Sequence, residues 1–577
     1  MGQDTPECRA DAYLEAISLG EAAQRLEGAG QLVGIAPGGA GGRSAAADGR
    51  AAAVDGAVGA DGLLSPCLWA AEQARSDCST SPAANVAATV PKHLSFDSRD
   101  CVAGTLFYCK GAGFEERYLA AAAAAGAIAY LSEQAYGSPL PGLIVKDMRK
   151  SMALLDSWYF AGLAQALRLA GVTGTKGKST TVYFLRAILD RWLAGQGRPA
   201  SAVLSSIDNY DGLSLEESHL TTQENLELYR RFANAASAGI GYLSMEVSSQ
   251  ALKYERTADL VFDVACFLNI GHGDHISEIE HPDFEDYLAS KLKIFKQAKV
   301  ACLSLESAEL KRVLAAAKEA GRLVTFGFSE AADIVATEVE DVASGCRFRA
   351  LLPDGAPGSA ATSGASGSAA TGAEFTIALS GTFNVLNALA AISAAWVLGV
   401  PVPVMQEALA EARVPGRMET FAGPAGKLVV VDYAHNKMSF EALFEAFKKQ
   451  RPNSYFAIVF GCPGYKAYDR RRDLAEVAGH QADDVILTEE DAGREPVAKI
   501  CAEIAGYVQA AGGHPRIISD RAEAIRAAIE TAPPNSVILV TGKGRETRQK
   551  RGSEYIEVPS DVQIVEGCLG ARCGGTC

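Results

Sequence analysis

The sequence predicts an α/β protein with mostly parallel sheets, organised around a loop built to hold phosphate. Three observations carry this. Strand-length apolar runs alternate with helix-length stretches along most of the chain. A glycine-rich turn, Gly174-Thr175-Lys176-Gly177-Lys178-Ser179-Thr180, joins a predicted strand (167–172) to a predicted helix (178–192). A second alternating block begins at Leu428. With 577 residues, three or four domains are expected. The expected bounds are 1–168, 169–414 and 415–577.

Composition narrows the function classes. Apolar content of 48% and charged content of 21% are ordinary for a soluble protein. A net charge of −15 argues against a nucleic-acid or anionic-membrane partner, so an anionic substrate needs local basic groups. Residues 1–14 carry neither a basic start nor an apolar core, so no signal peptide is expected. The longest apolar run, 118–131, is too short to span a bilayer. A cytoplasmic monomer is the expectation. The 13 cysteines lack zinc-ligand spacing, so reduced thiols are expected. Cys568, Cys573 and Cys577 read as part of a disordered tail rather than a metal knuckle.

In chain order, a helix is predicted over 10–26, followed by a Gly/Ala-rich flexible insert over 28–62. Around Ser95, two short strands flank the turn Asp97-Ser98-Arg99, then come a helix (114–125) and a strand (128–132). Past the phosphate loop, strands are expected at 202–206, 242–247 and 260–269, and helices at 224–237 and 284–299. A Gly/Ser/Ala tract at 353–372 reads as a mobile insert. A helix at 384–398 leads into Val400-Pro401-Val402-Pro403, read as a hinge. The last block has strands at 428–432, 455–460, 484–488 and 537–541.

The chemistry-bearing residues fall at strand ends, where parallel sheets bind ligands. Gly174 and Gly177 let backbone N–H groups approach an anion at a helix N-terminus. Lys178 can reach the β- and γ-phosphates, and the Ser179 hydroxyl can bind Mg²⁺. Val172 stands where the general pattern has its first glycine, whereas the shorter pattern G-T-x-G-K-[ST] is complete. Glu246 ends a strand next to this loop, where a carboxylate either holds Mg²⁺ or is simply solvated. His272, Asp274 and His275 cluster past another strand, as a metal site or a plain polar loop. Arg417 and Asp432 could hold the phosphates and ribose of a nucleotide, or form a structural ion pair. Asp97-Ser98-Arg99 and Lys110-Gly111 could hold an anion or form a surface turn. By position alone, Lys291 reads as a surface lysine on a helix.

Taken together and in order, these segments resemble the Mur ligases of peptidoglycan precursor synthesis, in the branch that adds the third residue of the stem peptide. The motifs are D-S-R at Asp97, G-T-K-G-K-S-T at Gly174, L-T-T-Q-E at Leu220 and M-E-V-S-S-Q-A-L at Met245. They continue with L-N-I…D-H-I at Leu268, Y-L-A-S-K at Tyr287, G-T-F-N-V-L-N-A at Gly381, P-G-R-M-E at Pro415, D-Y-A-H at Asp432 and G-K-G-R-E at Gly542. The resemblance covers roughly 91–565 apart from the low-complexity inserts. It implies a UDP-binding N-terminal domain, a central P-loop ATPase domain and a C-terminal Rossmann-like domain that takes the amino acid.

It also implies roles. Gly174, Thr175, Gly177, Lys178, Ser179 and Thr180 would hold ATP, with Asn384 and Asn387 on the adenine side and Arg417 and Asp432 at the phosphates and ribose. Ser179, Glu246 and His275 would hold Mg²⁺, joined by Lys291, which the family carbamylates into a carboxylate-like ligand. Lys178, Lys291 and Arg417 would be catalytic. Ser98 would lie by the uridine, Thr221, Thr222, Ser248 and Arg256 along the muramoyl-dipeptide, and Lys466 and Glu546 at the incoming amino acid. The implied reaction phosphorylates the terminal carboxylate of UDP-MurNAc-L-Ala-D-Glu with ATP, and an amine then displaces the phosphate.

Departures bear on the acceptor. Diaminopimelate-using members carry D-N-P-R, whereas this chain has T-E-E-D-A-G-R-E-P from Thr488. The run G-C-P-G-Y-K-A-Y-D-R-R-R from Gly461, with Lys466 replacing an Arg, looks more like lysine-using members. L-Lysine or L-ornithine is therefore favoured over meso-diaminopimelate, although Arg494 could still supply a guanidinium. Gln250 stands where many relatives have His. Two rivals remain. A folylpolyglutamate-synthase-like ligase would lack the UDP-binding domain with D-S-R. A non-catalytic nucleotide-binding partner would be expected to have lost Lys178, Glu246 or Lys291.

Overall fold

The computed structural model describes residues 14–36, 88–111, 113–161, 163, 166–271, 276, 280–342, 345–353, 371–466 and 468–570. Three sheets follow one another along the chain. The first has the order β1-β5-β4-β3-β2, from β1 (Leu32–Ala36), β2 (His93–Ser95), β3 (Thr105–Tyr108), β4 (Ala129–Ser132) and β5 (Gly142–Val145). Its strands are parallel except β1, which runs antiparallel to β5.

The central sheet has eleven strands. Its nucleus is β6 (Arg168–Thr173) between β10 (Tyr242–Glu246) and β11 (Phe262–Phe267), all parallel. Outward on one side lie β7 (Ala202–Leu204), β8 (Asp208–Tyr210) and β9 (Leu215–Glu217). On the other lie β12 (Ala298–Ser304), β13 (Arg322–Gly327), β14 (Ile334–Val342), β15 (Gly345–Leu352) and β16 (Thr371–Ile377). The expected parallel arrangement holds from β7 to β14, and both edges turn antiparallel.

The last sheet has the order β17-β18-β22-β19-β20-β21, from β17 (Glu419–Ala422), β18 (Leu428–Asp432), β19 (Phe456–Phe460), β20 (Asp484–Leu487), β21 (Pro515–Ile517) and β22 (Val537–Thr541). A hairpin of β23 (Arg548–Arg551) and β24 (Glu554–Glu557) follows it.

The nuclear strands are buried on both faces, as expected for parallel strands covered by helices. The Thr382–Val397 helix is apolar almost all round and buried along its length, beside the Lys178–Ala194 helix. Among the described residues, no helix is long and apolar enough to cross a membrane.

Several boundaries differ from expectation. The first helix runs Leu19–Gly28, because the Ser18 side chain caps it by accepting from the Glu21 amide at 3.2 Å; of the 10–26 prediction, residues 10–13 lie outside the described residues. The 28–62 insert is not loose from its start: Leu32–Ala36 forms β1, and 37–62 lie outside the described residues. At the second insert, Thr371 and Gly372 pair with Leu352 and Leu351, while 354–370 lie outside. The 284–299 helix stops at Leu292, continues as a 3₁₀ turn over Lys293–Gln297, and gives way to β12. The Val400–Pro403 hinge instead opens a helix, Val402–Glu411, where a first-turn proline loses no hydrogen bond. Of the tail cysteines, Cys568 ends up half-buried on the Asp561–Gly570 helix, and Cys573 and Cys577 lie outside the described residues.

Candidate active site

The phosphate loop leaves β6 and enters the Lys178–Ala194 helix through Gly177, whose φ of +86° belongs to the left-handed region. A Cβ there would lie 2.1 Å from Asn387 Oδ1, so glycine is required on both counts. The loop is braced from the strand beside it. The Thr175 amide donates to Asn269 O at 3.1 Å, and the Lys176 amide to Asn269 Oδ1 at 2.9 Å. Thr175 Oγ1 accepts from the Gly271 amide at 2.8 Å and shares a 2.9 Å hydrogen bond with the Tyr287 hydroxyl. Lys178 Nζ donates to Gly174 O at 3.0 Å and lies 3.4 Å from Thr175 O. Thr180 is buried in the first turn.

The oxygen-bearing residues collect one strand away. Register pairs Glu246 with Val172, which puts the carboxylate beside the loop. Its Oε1 accepts from the Ser206 amide at 2.8 Å and from Ser206 Oγ at 3.0 Å. Ser206 Oγ is 3.1 Å from Ser179 Oγ. Lys291 is not the surface lysine expected from position alone: it is 1% exposed, and its Nζ donates to Gly174 O at 2.9 Å. The Lys291 ammonium also sits 5.0 Å from the centre of the Tyr287 ring, within cation–π range. Lys178 and Lys291 thus converge on one carbonyl. His272, Asp274 and His275 lie outside the described residues. Among the described residues, no group of three His, Cys, Asp or Glu side chains forms a ready metal cluster.

The C-terminal sheet supplies the opposing wall. Arg417 Nη2 reaches Ser179 Oγ at 3.4 Å, and its guanidinium lies 4.6 Å from the Tyr433 ring centre. Arg417 and Asp432 do not form the simple ion pair that was one expectation. Asp432 is turned to the backbone, with Oδ2 accepting from the Met418 amide at 2.8 Å and Oδ1 from the Ala434 amide at 2.7 Å. Burial pushes its carboxyl pKa up despite the nearby Arg417. His435 is held neutral, well below the usual histidine range, by burial and by Lys176 and Arg470. Asn384 Nδ2 donates to Ser380 O at 2.8 Å, and Asn387 Nδ2 donates to Asn384 Oδ1 at 3.1 Å. Both asparagines are buried behind the loop.

A narrow cleft opens between the walls, lined by Ser206, Glu217, Arg417, Tyr433, Lys543 and Glu546 among others. Glu546 accepts from the Tyr433 hydroxyl at 2.5 Å and pairs with Lys543 at 2.5 Å. Behind it, Glu489, Glu490 and Asp491 each meet a cation, namely Arg551, Arg470 and Lys543. Lys466 is exposed in the loop leading to the Tyr468–Gln481 helix.

The residues expected along the dipeptide are also brought together in part. Thr222 Oγ1 donates to Glu246 O at 3.0 Å and accepts from the Ser248 amide at 2.9 Å. Arg256 donates to Thr222 O at 3.1 Å and pairs with Glu224 at 2.8 Å, and Lys110 also pairs with Glu224. Thr221 is half-buried beside them. Ser98 is half-exposed in a loop where Arg99 grips Asp97 and holds that carboxyl below the usual range. Arg230 ties the following Asp100 to the central part of the molecule at 2.7 Å. The sequence assigns no role to Ser206, Glu217, Tyr433 or Glu224: Ser206 and Glu217 carry no local signal, and Glu224 and Tyr433 stand unremarked inside L-T-T-Q-E and D-Y-A-H.

Comparison with known proteins gives the arrangement its family. The model described as "Mur ligase middle domain" matches residues 172–395, and "Mur ligase, glutamate ligase domain" matches 416–544. A UDP-N-acetylmuramyl-tripeptide synthetase of Bifidobacterium longum (strain NCC 2705) is 38% identical over 496 residues, covering 83% of this chain and 92% of that protein. A UDP-N-acetylmuramoyl-L-alanyl-D-glutamate–L-lysine ligase of Enterococcus faecalis (strain ATCC 700802 / V583) is 37% identical over 483 residues, covering 83% and 92%. Among solved structures, a UDP-N-acetylmuramoyl-L-alanyl-D-glutamate–2,6-diaminopimelate ligase shares the fold, with a TM-score of 0.57 at 24% identity, covering 87% of this chain and 98% of that one. On this identity and coverage, with its loop, cleft and sheet order, the chain belongs to the Mur ligase family and is a ligase.

Proposed function

We propose that this ligase uses ATP to activate the terminal carboxylate of UDP-MurNAc-L-Ala-D-Glu and joins it to L-lysine, or to the similar L-ornithine. The observation that carries the reading is convergence. Lys178 and Lys291 meet at Gly174 O, while Ser179 Oγ links Arg417 to Ser206 and hence to Glu246. One pocket so composed can set a terminal phosphate against a carboxylate.

The donor set fits Mg²⁺. Two hydroxyls and a carboxylate in mutual contact are hard oxygen donors beside a phosphate loop. Ser179, Ser206 and Glu246 would hold the ion, with Lys291 adding oxygens once carbamylated. Bound there, Mg²⁺ supplies charge neutralisation at the phosphates. The chain's own groups do the rest. The helix N-terminus and loop amides cradle the phosphates. Lys178 and Arg417 offset the charge that builds as the phosphoryl group moves to the carboxylate. Thr222, Ser248 and Arg256 fix the dipeptide so that its carboxylate faces that group, leaving little but alignment to achieve.

The preference for lysine rests on the missing D-N-P-R motif and on the relatives named for L-lysine. The test offers L-lysine, L-ornithine and meso-diaminopimelate separately with ATP, Mg²⁺ and UDP-MurNAc-dipeptide. ADP release with lysine or ornithine is expected, and turnover with diaminopimelate alone, or only with a folate and glutamate, overturns the reading.

A further inference from the structure

At the free edge of the central sheet, β9 is three residues long, with Leu215 66% exposed. Register sets Glu217 opposite Asp208, two acids facing each other across a strand pair, an arrangement that costs stability. Glu217 turns from that neighbour and reaches into the C-terminal part of the molecule. Its carboxylate accepts from the Thr547 hydroxyl and from the Thr547 amide at 3.4 Å, and lies 4.0 Å from Arg548 Nε. Thr547 directly follows Glu546, and Glu217 and Glu546 both line the cleft. Of the other ties between the two walls, Lys449 to Asp341 at 2.6 Å and Asn384 to Met418 at 3.5 Å use residues that do not line it, and Arg417 to Ser179 at 3.4 Å belongs to the proposed reacting centre itself.

We propose that Glu217 is a positioning residue, a clasp that holds the Thr547 loop down and keeps water from the cleft while the acyl phosphate exists. The proposal rests on the reaction proposed above. An acyl phosphate has two fates. The amine nitrogen attacks the carbonyl carbon, the C–O bond to phosphate breaks, and an amide and inorganic phosphate form with loss of a proton. If water attacks instead, the same bond breaks and the original carboxylate returns with phosphate and a proton, so an ATP is consumed without product. A closed cleft favours the first fate. As a clasp, Glu217 acts through Thr547, so its loss should change coupling more than chemistry.

The experiment measures ADP released per amide formed, in the full-length enzyme with all three substrates, for wild type, Glu217→Ala, Glu217→Gln and Thr547→Val. The wild-type ratio should be near one. Losing a hydrogen bond to a charged group should raise it about tenfold in Glu217→Ala, and less in Thr547→Val, which keeps the backbone donor. Glu217→Gln, still an acceptor, should restore most of the coupling. Small-angle scattering of wild type and Glu217→Ala reads the clasp without catalysis, and a larger radius of gyration is expected in the variant. A ratio of one in Glu217→Ala with unchanged scattering overturns the clasp. If wild type forms no amide with any acceptor, the proposed reaction fails, and scattering still decides whether Glu217 holds the walls together.

Discussion

Lys178 and Lys291 donate to the same carbonyl, yet the sequence marks them unequally. The role of Lys178 follows from its neighbours in sequence: two spaced glycines, a following serine, and a strand–helix junction. Lys291 has no such neighbours. Position alone made it a surface residue, and only packing shows its ammonium buried between Gly174 O and the Tyr287 ring. Ser206 is a sharper case, because it becomes the bridge between Ser179 and Glu246 only once β7 is placed beside β10. Replacing Lys178 by Ala should lower the rate of ADP formation by at least about 100-fold, the scale for removing a cation aimed at developing charge. Its melting temperature should stay near wild type, since this half-buried side chain faces the loop mouth. A near-wild-type rate in that variant would remove its assigned role. Ser206→Ala is expected to raise the Mg²⁺ concentration needed for half-maximal rate, measured by metal titration at saturating ATP. An unchanged requirement would leave Ser206 a structural tether only.

At the scale of elements, the sequence was readable where an element is long and buried and obscure where it is short and at an edge. The nuclear strands and the Lys178–Ala194 and Thr382–Val397 helices fell close to their predicted places, because burial on all sides leaves an unbroken apolar run. The three-residue strands β8 and β9 are obscure, too short to show an apolar pattern and formed as a local meander on β7, which itself falls within the expected 202–206. Obscure too is β1, hidden in a Gly/Ala-rich stretch until β5 gives it an edge to join. The phosphate loop depends on two such elements at once, since Gly177 must both take a left-handed φ and make room for Asn387 from the Thr382–Val397 helix. Gly177→Ala should therefore cost about 1–3 kcal/mol of stability from the backbone strain and the clash. It should weaken nucleotide binding more than it weakens binding of the UDP-sugar dipeptide. Thermal melts with calorimetric titration of a non-hydrolysable ATP analogue would check both, and equal losses for the two ligands would refute a local effect.

Across the whole molecule, one apolar cluster joins the first sheet to the central one, holding Leu106 and Tyr159 with Phe232 and Leu243. Another joins the central sheet to the last, holding Val172 and Leu389 with Phe440 and Ile458. The first joint also carries a titratable group. Asp156, on the Met148–Tyr159 helix, is fully buried, and its Oδ1 accepts from the Tyr108 hydroxyl at 2.8 Å. Burial outweighs that hydrogen bond and the nearby Arg230 and Lys110, and pushes the carboxyl from its ordinary 3.8 up to about 8. A raised acid makes the folded state bind a proton that the unfolded chain has already lost. Its contribution is fully present below about pH 4 and is lost progressively as pH rises to about 8, above which no further loss comes from this group. Denaturant midpoints taken from pH 5 to 9 should therefore include a fall that flattens near the top of the range. Asp156→Asn keeps the shape and an acceptor for Tyr108 but has no proton to lose, so its profile should decline less between pH 5 and 8 and lie above wild type at pH 9. Parallel profiles for the two proteins would mean that Asp156 is ionised in the folded state, and that water or a cation reaches the joint between the first two sheets.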